Sequence, residues 1–162
     1  RGFYLGVKTE RIPFSLDMCG KSEIYEKENN MDNKINEIEK INLQNDEDLV
    51  LLENYISTLP LNKELLIALF NLLERYPNFN FGEPGRVIHL MERYENNIYA
   101  PLLFDSLKRK PTKYTLWMLN RYLNSIPEEE QKEGIDLLKE IVAKDSNPEI
   151  VDEAIFFLQD YL

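Results

Sequence analysis

A chain of 162 residues with a formal net charge of −10 is long enough to bury roughly 70% of its unfolded surface in one domain. Its single cysteine, Cys19, excludes an intrachain disulfide, and its apolar runs fall far short of the roughly 20 residues that span a bilayer. The acidic balance disfavours nucleic acid and anionic membranes as partners and speeds encounter with a basic protein. A reducing cytoplasm is the expected compartment.

The charge is uneven. Residues 1–30 hold five Lys/Arg and five Asp/Glu, so the 14 basic and 24 acidic residues of 31–162 carry the whole excess. The opening RGFYLGVKTERIPFSLDMCG has no 3.6-residue period and reads as strand and turn, and KSEIYEKENN reads as a polar linker. Met31 then opens MDNKINEIEK in the manner of a natural start. Residues 1–30 are therefore expected to be either read-through from an upstream frame or an N-terminal arm, and 31–162 a single helical domain.

From Met31 onward the apolar spacing is helical. Ile35, Ile38 and Ile41 give a weak first helix. Asn45 is placed to cap the next, whose first-turn Asp46, Glu47 and Asp48 suit the helix dipole and whose stripe is Leu49, Leu52, Tyr55, Ile56 and Leu59. After Pro60, Asn62 caps a helix lined by Leu66, Leu69, Phe70, Leu73 and Tyr76 and broadened by Leu65, Leu72 and Ile67, as expected at a bundle centre. YPNFNFGEPG turns the chain, with Pro84 expected at a first helical position before Val87, Leu90, Met91 and Tyr94. Tyr99, Leu102, Leu103 and Leu107 follow, with Pro101 in a first turn.

Pro111 and Thr112 mark another break, then Leu116, Leu119, Tyr122, Leu123 and Ile126 form a stripe flanked by Trp117 and Met118. Pro127 starts a helix with Glu128 to Glu130 in its first turn and Ile135, Leu138, Ile141 and Val142 inward. The last helix is capped by Ser146, in capping-box spacing with Glu149, or by Asn147 before Pro148, and faces inward through Val151, Ala154, Ile155, Leu158 and Leu162. The prediction is an all-α fold of seven to eight helices stacked as antiparallel hairpins, HEAT-like or an irregular α-solenoid or bundle.

Catalytic chemistry is sparse. Cys19 and His89 are the candidate thiol and base, and His89 lies one turn from Glu92, but no second histidine, phosphate loop or CxxC accompanies them. No catalytic residue, cofactor or metal is expected. Two polar features stand out instead. LNRYLN sets Asn120, Arg121 and Asn124 around an apolar helix with Arg121 one turn from Trp117, where a cation can stack on the indole or the tryptophan can be core. KRKPTKY, Lys108 to Tyr114, is a basic turn that either binds phosphate or complements a helix C-terminus.

Between Asn78 and Asn124 the order FGEPG, HLMERY, a tyrosine and proline helix, then SLKRKPTKYTLWMLNRYLN resembles small acidic immunity proteins of bacterial contact-dependent and polymorphic toxin systems. The resemblance implies a non-enzyme that binds a cognate toxin domain, a nuclease or another effector, and masks its active site or substrate groove. An acidic helical surface suits the basic groove of a nuclease. On hot-spot chemistry the expected contact residues are Glu83, Glu92, Asp105, Tyr114, Trp117 and Arg121. A helical-repeat adaptor for a protein or peptide is the alternative.

Overall fold

The computed structural model describes residues 16–162, and side chains from residue 23 onward. Among these residues the chain is all-helical, with eight α-helices: α1 Leu16–Glu39, α2 Asp46–Ser57, α3 Lys63–Arg75, α4 Arg86–Met91, α5 Asn96–Arg109, α6 Lys113–Ser125, α7 Lys132–Lys144 and α8 Pro148–Leu158. By contacts the chain divides into one unit ending at Lys34 and another spanning Ile35–Leu162.

The strand-and-turn reading of residues 1–20 lies outside the described residues as far as residue 15; for 16–20 it is corrected, as is the linker reading of 21–30, because α1 runs through both and through Met31 without a break. KSEIYEKENN is polar, but it lacks glycine beyond Gly20 and proline altogether, and its Glu and Lys residues favour a helix even where no apolar stripe marks one.

The second unit is built from caps inward. Asn45 accepts the Asp48 amide at 2.9 Å while the Asp48 carboxylate accepts the Asn45 and Gln44 amides, so one of the three acids at the start of α2 closes a capping box. Asn62 caps α3 through the Leu65 amide at 2.9 Å. At the far end of α3, Arg75 donates to the carbonyls of Ile38 and Glu39 and so satisfies the C-terminus of α1, while the Tyr76 hydroxyl donates to Ile41 O and accepts from Leu43 N. Thr112 and Thr115 exchange side-chain and backbone bonds in a buried capping box at the start of α6. Replacing Thr112 by alanine should cost about 1–2 kcal/mol, read as a lower denaturant midpoint at unchanged slope; an unshifted midpoint would show the cap to be redundant.

Packing follows chain order with offsets. α3 lies against α4 and α5, α5 against α6 and α7, and α8 against α6 and α7. Leu65, Leu66, Leu69, Leu72 and Leu73 of α3 are all fully buried, which puts α3 at the centre, as its wide apolar face predicts. Each buried leucine contributes about 1.5–3 kcal/mol relative to exposure. Ile67, read as part of that face, is instead exposed.

Three other expectations are corrected. Pro101 falls in the second turn of α5, because the helix begins five residues before it at Asn96. Glu128 to Glu130 form a separate 3-10 turn, and α7 starts at Lys132. The buried face of α8 is Ile150, Ala154 and Phe157, with Ile155 40% and Leu162 85% exposed. The apolar residues of this helix cover a wide arc beside Glu149, Asp152 and Glu153, so periodicity alone could not choose which part of that arc meets α6 and α7. Of its two competing caps the chain uses Asn147, which accepts the Glu149 amide at 3.1 Å.

Candidate functional site

The segment joining α3 to α4 is held by aromatic rings and two glycines. Tyr76, Phe79, Phe81 and Tyr114 form a run of ring contacts with centroids 6.3, 5.1 and 5.4 Å apart. Gly82 and Gly85 have φ of 114° and 83° and flank a cis Glu83–Pro84 peptide. Pro84, expected inside the helix, therefore precedes it, and Gly85 is the N-cap of α4. The Tyr114 hydroxyl accepts from Phe81 N at 2.8 Å and donates to Gly82 O at 3.2 Å, clamping the turn to the start of α6.

At 6% exposed, Tyr114 lies under the turn that carries the exposed Glu83 and holds that turn in place. Tyr114→Phe keeps the ring stack and strands the buried Phe81 amide, so stability should fall by about 1–3 kcal/mol. An unchanged thermal midpoint would contradict the clamp.

Beside the turn lies a cleft of about 400 Å³ lined by Asn80, Glu83, Lys113, Tyr114, Trp117 and Glu153. A second cleft of about 400 Å³ is lined by Glu92, Asn96, Tyr99, Arg121, Tyr122 and Asn124. Helix α6 serves both. Trp117 is half-buried, and the Arg121 guanidinium sits 4.6 Å from its ring centroid. Arg121 Nε also donates to Glu92 Oε2 at 2.9 Å, with the two side chains 49% and 20% exposed. Trp117, Arg121 and Glu92 thus form one platform of ring, cation and carboxylate.

Five of the six expected contact residues line these clefts, Glu83, Tyr114 and Trp117 the first and Glu92 and Arg121 the second, with Tyr114 the most buried of them. Asp105 is exposed on α5 and lines neither cleft. His89 opens onto another cleft with Glu53, Arg86 and Arg93, while Glu92 is engaged by Arg121, so the pairing of His89 with Glu92 is not made. Asn120 and Asn124, singled out as polar groups around an apolar helix, bracket the Tyr161 hydroxyl at 2.8 and 3.0 Å and tie the C-terminal turn to α6. In the basic turn, Arg109 pairs with Glu74 of α3 and Lys113 lies over the Tyr114 ring, so two of its charges serve the fold.

Sequence reasoning missed Tyr99, Lys113 and Glu153 as cleft residues. Tyr99 was read only as core, yet a tyrosine in an apolar stripe brings a hydroxyl that needs a partner. Burial, then the Glu92 carboxylate, push its phenol far above the ordinary value, with Arg121 opposing. Among the described residues no group of three or more His, Cys, Asp or Glu side chains is placed to hold a metal, and no helix is long and apolar enough to cross a membrane. Comparison with protein-family models, with curated proteins and with solved structures finds no match for this chain.

Proposed function

We propose that this chain is an immunity protein: it binds a basic toxin domain, a nuclease by preference, and silences it by covering its active site. The observation that carries this reading is the Trp117, Arg121 and Glu92 platform set between two clefts on a chain of net charge −10. Tryptophan and arginine dominate protein-binding hot spots because they bring large contact area with polar handles. Here the ring and the guanidinium hold each other in place, which lowers the ordering cost of association. The acidic field adds long-range attraction for a basic groove.

The Thr112 capping box and the Tyr114 clamp support the same reading, since they hold the start of α6, the helix that carries Trp117 and Arg121. The test is growth of cells that express the C-terminal domain encoded by the gene immediately upstream, with and without this chain. Rescue of growth is expected. A toxic upstream domain that this chain leaves toxic, with both proteins present and folded, would sink the proposal.

A further inference from the structure

The cleft onto which His89 opens has a volume of about 240 Å³ and is walled by α2 on one side and by α4 with the turn after it on the other. Val87, Ile88, Leu90 and Met91 bury one side of α4, which leaves Arg86, His89 and then Arg93 exposed at spacings of three and four residues. The five arginines among the described residues divide into two groups. Arg75 donates to the Ile38 and Glu39 carbonyls, Arg109 pairs with Glu74, and Arg121 pairs with Glu92. Arg86 and Arg93 make no hydrogen bond or ion pair among the described residues, and both line this cleft beside the only histidine in the chain.

The occupant follows from charge and from the number of donors. Two guanidinium groups and an imidazole line the cleft against one carboxylate, Glu53, which has no ion pair of its own. The lining therefore carries an excess of positive charge on a chain whose net charge is −10, and it favours an anion. A carboxylate has two oxygens, and one guanidinium fork takes both. A phosphate monoester brings three acceptor oxygens and about two negative charges, enough for both forks and the imidazole together. The Asn54 side-chain amide, exposed on the α2 wall, adds a donor, whereas the Ser57 hydroxyl is already given to Asn54 O at 2.7 Å. A polyanion such as nucleic acid is repelled by the acidic chain far more than one phosphate is, so the ligand is small.

We infer that this cleft binds a phosphate group, as the free ion or as a small monoester, with Arg86 and Arg93 bonding its oxygens, His89 and Asn54 as further donors, and Glu53 limiting the affinity. No donor has to leave a partner for the anion to enter, because none of these four side chains holds one among the described residues. The cleft shares no lining residue with the two clefts along α6. The inference therefore goes beyond the toxin-binding reading and does not depend on it.

Because His89 is the only histidine, its ring C–H resonances in an NMR titration report on this cleft without ambiguity. The full chain is titrated at fixed pH and ionic strength with methyl phosphate, with inorganic phosphate, and with acetate and chloride as comparison anions. A saturable shift with a phosphate probe is expected, at a concentration about tenfold or more below that needed with acetate, and none with chloride. Tighter binding of methyl phosphate identifies an ester as the ligand and tighter binding of inorganic phosphate the free ion; either result supports the site. Arg86→Gln and Arg93→Gln, both at exposed positions, should each weaken binding about fivefold or more. Glu53→Gln should tighten it about twofold or more. No saturable shift with either phosphate, acetate binding as tightly, or affinity left unchanged by both arginine variants would overturn the inference.

Discussion

Replacing Gly85 by alanine is expected to be the most destabilising single change in the turn, on the order of 3 kcal/mol. Gly85 has φ of 83°, and a Cβ built there would lie 1.8 Å from Phe81 O and 2.8 Å from Phe81 C. Both are backbone atoms, so no rotamer change relieves the clash. The whole turn must shift, and with it the start of α4, whose Val87, Ile88, Leu90 and Met91 are all buried. Thermal melting should show a midpoint lower by roughly 6–12 °C. Gly134→Ala is the contrast. Its Cβ would meet Leu123 Cδ2 at 2.5 Å, the flexible end of a side chain, and the helix gains propensity, so stability should stay within about 1 kcal/mol. Equal losses at the two glycines would contradict the assignment of Gly85 to a position only glycine can fill.

Trp117→Ala should cut affinity for the proposed toxin partner at least about 30-fold, or about 2 kcal/mol, through faster dissociation. The loss has two sources: the contact area of the indole, and the freedom regained by Arg121 when its stacking surface is gone. Arg121→Ala should follow in the same direction, since it also strips Glu92 of its ion pair. Asp105→Ala, on α5 and outside both clefts, should leave affinity within about twofold. Surface plasmon resonance on the three variants separates these cases. Equal affinity for wild type and Trp117→Ala would move the interface away from α6.

The fold was largely legible because its signals are local. Asn45 and Asn62 cap where their positions before apolar runs say they should, Thr112, read only as a break, caps α6, and the α3 stripe predicts its own burial. The errors share a cause as well. α1 before Met31 is polar, so propensity formed a helix where no periodicity announced one. The apolar residues of α8 cover a wide arc, so only its neighbours fix which part of the arc is inward. The candidate site was half legible. Trp117 and Arg121 are one turn apart, and that spacing allows the stacking the structure makes, though it also allows a core tryptophan. The engagement of Arg121 by Glu92, 29 residues away, and the burial of Tyr114 under the glycine turn depend on how helices cross, which a single sequence does not encode locally.

The central claim is that this acidic helical chain captures a basic toxin domain through the platform on α6. Calorimetric titration of the full chain into an inactive variant of the upstream-encoded C-terminal domain tests it most directly. The account predicts a one-to-one complex of about nanomolar affinity, with an association rate that falls as ionic strength rises. Absence of binding between two demonstrably folded proteins would contradict it.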